Sequence, residues 1–159
     1  MQNVIPHKPI HEVMTSDLIT CTPYTNLAEA YEMMSKNGVR RLPVLKESGD
    51  LIGIITKNDI LAFVPVDLQG HKNAGNAADE LTRIIVEVTM AKNPNSVYLT
   101  DTVGHAAEIM LDKKIGGLPV IDANNKLKGI ITESDIFRLI VKQWQDDNLI
   151  LSGAHNKGT

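Results

Sequence analysis

Apolar residues recur at helical spacing in two places along the chain. Leu27, Ala30, Tyr31 and Met34 fall at i, i+3, i+4 and i+7, and so do Val103, Ala106, Ala107 and Met110. This spacing predicts two amphipathic helices, each with one aliphatic face. Capping signals stand before them, Thr25–Asn26 and Asp101–Thr102, as the free N–H groups of a first helical turn require. Short strand-like runs precede the caps, LITCT at 18–22 and NSVYL at 95–99. Two more strands follow each helix: VRRLPVL (39–45) and LIGII (51–55), then IGGLPVI (115–121) and LKGII (127–131). The polar segments KESGD and DANNK between them read as hairpin turns. A second helix then starts at a Thr-x-x-Asp in each stretch, Thr56 to Asp59 and Thr132 to Asp135.

The two stretches are one pattern written twice. A shift of 76 residues aligns 14–63 with 90–139 without a gap, and fourteen of those fifty positions are identical. Random pairing of ordinary compositions would give roughly three. Self-similarity at a fixed period marks structural repeats. Each copy reads β-α-β-β-α, which places the chain in the α+β class with α/β-type repeats. One copy has too few apolar faces to bury alone, so the two are expected to pack with pseudo-twofold symmetry. The expected order is an N-terminal arm at 1–12, a first repeat at 13–65, a flexible linker at 66–76, a linking helix and second repeat at 77–143, and a helix end and tail at 144–159. Leu81, Ile84, Ile85 and Val88 mark the linking helix, and Ile136, Phe137, Ile140, Val141 and Trp144 line one side of the last helix. The tail SGAHNKGT is expected to be disordered.

Composition then narrows the function classes. Hydrophobic residues make up 43% of 159 and aromatics only 4%, so the core must be aliphatic. Met33, Met34 and Met110 are read as packing residues within it. A net charge of −3 provides no long-range positive field for nucleic acid. The longest apolar run, ILAFVPV at 60–66, is far short of the roughly 18 residues of a membrane span. The opening MQNVIPHKPIHEV has two prolines and no apolar core of a secretory signal, so a soluble cytoplasmic protein is expected. Cys21 is the only cysteine, which excludes an internal disulfide; it reads as a small hydrophobe in a strand. His7, His11, His71, His105 and His155 show no metal-binding spacing. No phosphate-binding P-loop, G-x-G-x-x-G or G-x-S-x-G is present, so neither a metal site nor an enzyme is expected.

GIITKND at 53–59 and GIITESD at 129–135 keep the Gly, both Ile, the Thr and the Asp, and each follows an LPV strand at 42–44 or 118–120. This element order, ending twice in register in G-h-h-T-x-x-D (h apolar), resembles a tandem pair of CBS domains. These modules are named after cystathionine β-synthase, and a pair is also called a Bateman module. The resemblance covers about 13–65 and 88–143. It implies a non-enzymatic regulatory module that senses AMP, ADP, ATP or S-adenosylmethionine in clefts between the repeats, with no cofactor besides that ligand. It also implies a homodimer that biases an effector protein, with no nucleic-acid or membrane partner. With no effector domain attached, the chain is similar to stand-alone bacterial CBS-pair proteins.

The Thr-x-x-Asp pattern has two readings. A Thr at the N-cap with an acid three residues on is a capping-box arrangement. The same hydroxyl can donate to a phosphate, and the carboxylate can accept both ribose hydroxyls; the two roles are compatible. Carried over from the family, Thr56 and Asp59 hold phosphate and ribose in one cleft, and Thr132 and Asp135 do so in the other. The resemblance further implies that adenine is held by the opposite repeat. Those positions are Thr15, Ile19, Thr20 and Val39 for the Asp135 cleft, and Asn95, Ser96 and Ile115 for the Asp59 cleft. Ahead of LPV the copies part: Arg40 and Arg41 face Gly116 and Gly117 in the alignment. An Arg fork pairs bidentately with phosphate, whereas glycines carry no charge but let a ligand approach the backbone. Unequal clefts are therefore expected, the phosphate-rich ligand at Thr56/Asp59; the alternative is a pair of solvated strand arginines. The competing function is a degenerate pair that serves as a dimerisation scaffold without ligand.

Overall fold

The computed structural model describes residues 5–64 and 74–154. The chain divides into two compact units: one gathers Asp17–Asn95 with Asn124–Leu127, the other the chain up to Ser16, Ser96–Ala123 and the chain from Lys128. We call them the first-repeat and second-repeat units.

In the first-repeat unit, Asn26 caps α1 (Leu27–Asn37) by accepting the Glu29 N–H at 2.9 Å, and Gly38 closes the helix at φ 64°. Glycine reaches this left-handed conformation without a Cβ clash. The predicted stripe is buried at Leu27, Ala30 and Met34. Strands β1 (Arg41–Leu45) and β2 (Leu51–Thr56) form an antiparallel hairpin that sets Arg41 opposite Thr56. The helix α2 (Lys57–Leu61) follows directly. Then come α3 (Ala74–Arg83), α4 (Val86–Thr89) and β3 (Ala91–Lys92), which completes the sheet in the order β1-β2-β3. The core of this unit holds Leu27, Met34, Leu42, Ile55, Ile60 and Val86.

The second-repeat unit repeats the plan with β4 (Val97–Tyr98), α5 (Val103–Lys113), β5 (Gly117–Ile121), β6 (Leu127–Thr132) and α6 (Glu133–Ala154). Its sheet runs β4-β5-β6, with β4 parallel to β5. Thr102 caps α5 by accepting the His105 N–H. Lys114 ends it at φ 55°, the place of Gly38 in the first copy.

Each unit has one hydrophobic cluster, and neither cluster is built from one copy alone. The reason is an exchange of segments. The stretch before the first repeat belongs to the second-repeat unit, where Ile10 is fully buried with Val103 and Leu118. Thr15 there exchanges two 2.9 Å backbone hydrogen bonds with Ile130. The stretch before the second repeat belongs to the first-repeat unit, where Ala91 and Lys92 pair with Ile54 and Gly53. The same exchange explains the glycine of both GIIT motifs. A Cβ on Gly53 would collide with the Met90 sulfur and sit 3.2 Å from the Ala91 carbonyl oxygen; one on Gly129 would collide with the Met14 sulfur.

The structure differs from or refines the sequence expectations at several elements. The strand LITCT shrinks to an isolated bridge between Cys21 and Val44. The arm at 1–12 forms 3-10 turns at Ile5–His7 and Ile10–Glu12 and is part of a core. The single linking helix is broken at Ile84–Ile85, because Leu27 N–H bonds the Ile84 carbonyl and Val86 N–H bonds Thr25; Val88 is exposed. The last helix continues through Ser152 to Ala154, into the expected disordered tail. Helix α3 begins at Ala74, inside the expected linker; residues 65–73 and 155–159 lie outside the described ones.

Asp50 and Lys126 are equivalent under the 76-residue shift, and they form an antiparallel bridge with each other. The Lys126 ammonium donates at 2.6 Å to Asp50 Oδ1 and to the Ser48 carbonyl, and Ser48 Oγ donates to Asp50 Oδ2. These hydrogen bonds, Lys126 first and Ser48 second, hold the Asp50 carboxyl below its ordinary range. A depressed folded-state pKa stabilises the fold above the unfolded pKa, and that contribution is lost as pH falls through the folded value. A carboxyl NMR titration should place the Asp50 midpoint below that of an unpaired aspartate, and Lys126→Ala should raise it. An unmoved midpoint in the variant would contradict the assignment.

Candidate ligand-binding site

In the first-repeat unit Thr56 ends β2 and caps α2 in a complete capping box. Asp59 Oδ2 accepts both the Thr56 N–H at 2.8 Å and the Thr56 hydroxyl at 2.7 Å, while Asp59 N–H donates to Thr56 Oγ1 at 3.2 Å. The cap thus consumes one carboxylate oxygen. Oδ1 takes no hydrogen bond from the described residues, which leaves an anionic acceptor at the strand end. Cross-strand partners share a face of the sheet, so Arg41 projects on the same side as Thr56. Arg40 accepts the Lys57 N–H through its carbonyl at 2.9 Å. The Lys57 ammonium lies 5.0 Å from the Tyr31 ring centroid, a cation–π distance.

The second-repeat unit reproduces the core of this geometry. Asp135 Oδ2 accepts the Thr132 N–H at 2.8 Å and the Thr132 hydroxyl at 2.7 Å, and the Glu133 N–H donates to the Gly116 carbonyl at 3.3 Å. Asp135 is the one charged residue among the buried ones described. Its second oxygen is already engaged: Arg138 donates to Oδ1 at 2.7 Å. The equivalent position in the first copy is Ala62. Sequence reading missed Arg138, although the pattern Asp-x-x-Arg on a helix was available as a signal.

The units divide the other predicted residues. Thr15 stands with Thr132 and Asp135, bonded to the strand two residues before Thr132. Asn95 stands with Thr56, Asp59, Arg40 and Arg41, just beyond β3. Ile19, Thr20 and Val39 fall in the first-repeat unit, and Ser96, Ile115 and Gly116 in the second-repeat unit. Each unit therefore carries a Thr-x-x-Asp half-site and one flanking residue from the exchanged segment. Burial pushes the Cys21 thiol up to about 12, with Glu29 adding to the effect, so it stays protonated as a packing group. A groove of about 620 Å³ in the first-repeat unit, lined by Thr22, Tyr24, Lys46, Ile52 and Glu87 among others, contains none of the predicted residues.

Two sheets of three strands, each ending in a Thr-x-x-Asp cap, define a duplicated α+β module. The CBS domain model matches residues 10–66 and 85–142, and the chain belongs to the CBS domain family as a tandem pair. Protein MJ1225 of Methanocaldococcus jannaschii is 36% identical over 139 residues; the match spans 87% of this chain and 49% of that one. Its crystal structure superposes with a TM-score of 0.72. This chain thus spans about half the length of that relative. The CBS domain pair of MJ0100, solved with 5′-methylthioadenosine and S-adenosyl-L-methionine, is 28% identical over 87% of this chain and 99% of that one, with a TM-score of 0.70. CBSX2, a CBS-pair protein of Arabidopsis thaliana, is 26% identical in its complex with AMP, over 84% and 96% of the two chains, with a TM-score of 0.69. Among the described residues no helix is long and apolar enough to cross a membrane.

Proposed function

We propose that this chain is a non-enzymatic regulatory module that binds an adenosine ligand at its Thr-x-x-Asp half-sites. It acts as a cytoplasmic homodimer on an effector protein. The observation that carries the reading is the half-used carboxylate of Asp59. Its Oδ2 is spent on the cap while Oδ1 remains an acceptor, and Arg41 stands opposite Thr56 on the facing strand. A ribose has two neighbouring hydroxyls to donate, and a phosphate matches the guanidinium fork. The ligands of MJ0100 and CBSX2 all contain adenosine, which supports the same class here. The Arg40 and Arg41 pair makes the first-repeat half-site the one for a phosphorylated ligand.

Thermal unfolding with AMP, ADP, ATP, S-adenosylmethionine and NAD tests this. A ligand at about 100 times its Kd stabilises by roughly 2.7 kcal/mol, which raises the midpoint by several degrees at this size. At least one adenosine compound should produce that shift. If none does, the half-sites are caps only and the chain is a scaffold.

A further inference from the structure

We infer that the second-repeat half-site selects a nucleoside without phosphate, with a neutral or cationic group at the 5′ position such as a thioether or sulfonium, and that Glu133 sets this choice. The inference rests on the proposed adenosine-binding role and assigns ligand classes to the two half-sites. It comes from comparing positions that the 76-residue shift makes equivalent.

In the first-repeat unit the residue after the capping threonine is Lys57, and its N–H meets the Arg40 carbonyl. In the second the equivalent residue is Glu133, and its N–H meets the Gly116 carbonyl. The backbone contact is the same in both copies, so the two side chains leave from the same place beside the same strand. Every cation around that place in the first copy is lost in the second: Arg40 becomes Gly116, Arg41 becomes Gly117, and Lys57 becomes the acid Glu133. The aromatic ring against which Lys57 lies, Tyr31, becomes Ala107. The first copy thus places three cationic residues at this corner, and the second places an acid and two glycines there.

Arg138 does not restore the balance. It sits one turn into α6 and donates to Asp135 Oδ1, so a ribose takes that oxygen only by displacing Arg138, whose side chain is itself exposed. Its charge offsets that carboxylate and leaves Glu133 unopposed; among the described residues Glu133 makes no ion pair. A phosphate placed near Glu133 meets a like charge and a sulfonium meets an opposite one, each partly screened because Glu133 is exposed. Gly116 and Gly117 add no side chain or charge of their own there.

Calorimetric titration of the full chain with AMP, 5′-methylthioadenosine and S-adenosylmethionine tests the assignment. Asp59→Ala removes the acceptor of the first-repeat half-site and isolates the second. That variant should bind the thioether or sulfonium nucleoside at least about tenfold more tightly than AMP. Adding Glu133→Lys should move the ratio toward AMP by about tenfold or more, the expected scale for reversing one nearby charge; Glu133→Gln should fall between. Glu133 is exposed, so these variants should fold, which their unfolding midpoints check. Equal binding of AMP and the thioether by Asp59→Ala, or an unchanged ratio in Glu133→Lys, overturns the inference while leaving an adenosine sensor. If the wild-type chain binds none of the three, the adenosine reading falls and takes this inference with it.

Discussion

Ile10→Ala is expected to destabilise the protein by about 2–5 kcal/mol, the range for truncating a fully buried isoleucine. Ile10 has no exposed surface and lies in the cluster with Val103, Ala106 and Leu118. Its backbone is equally committed: Ile10 N–H donates to the Asp101 carbonyl at 2.8 Å, and its own carbonyl accepts from Val13 and Met14. Pro9 bridges to Thr102, and Lys8 accepts the Val103 N–H at the start of α5. The cavity left by alanine is walled by helix and sheet and cannot collapse freely. Denaturant unfolding of the variant measures the cost, and a nearby His7→Ala, at an exposed side chain, should stay within about 0.5 kcal/mol. A cost below about 1 kcal/mol for Ile10→Ala would mean that the arm is docked but not part of the core.

That result would run against the plain reading of the sequence, and the reason is physical. Periodicity detects an apolar residue by its neighbours in the chain. Ile10 stands between Pro9 and His11, in a turn with no repeat of its own, so nothing local marks it as buried. The same blindness hid the exchange of segments. Met14 and Met90 are equivalent positions of the two copies and were seen as such. That each covers the glycine of the other repeat's GIIT strand is a long-range fact. By contrast, α1, α5, both β-hairpins and both caps were legible, because their signals are local: aliphatic stripes at helical spacing, LPV and GIIT strands, Asn26 and Thr102 at the N-caps. The linking helix failed where a tertiary demand won, since the Ile84 carbonyl accepts the Leu27 N–H and the Val86 N–H donates to the Thr25 carbonyl in preference to continuing the turn.

The Thr-x-x-Asp caps were legible for a different reason. Duplication works as an internal control: a Thr-x-x-Asp kept in two copies whose neighbours have drifted marks residues under one shared constraint. The drift itself carried information that only geometry made readable. Arg40 and Arg41 against two glycines stood out in the alignment. Lys57 against Glu133 did not, until the contacts with the Arg40 and Gly116 carbonyls showed that both side chains leave from the same corner.

Asp59→Ala and Asp59→Asn together separate the cap from the ligand. Alanine removes the acceptor for the Thr56 N–H and hydroxyl, which should cost about 1 kcal/mol in the unliganded protein. Asparagine keeps a carbonyl oxygen in that place to accept both donors and loses only the charge on the acceptor, so its cost should be smaller than that of alanine. Ligand affinity should follow a different order. Two hydrogen bonds from ribose hydroxyls to a carboxylate contribute about 1.5–3 kcal/mol each, so alanine should weaken a phosphorylated adenosine ligand by about a hundredfold or more. An amide offers a neutral acceptor about half as strong, and asparagine should therefore still cost about tenfold or more. The decisive comparison is asparagine, where stability is nearly kept and binding is lost. If calorimetry finds wild-type affinity for AMP in Asp59→Asn while Arg41→Ala also leaves it unchanged, then Asp59 is a cap alone and the first-repeat half-site reads no ribose.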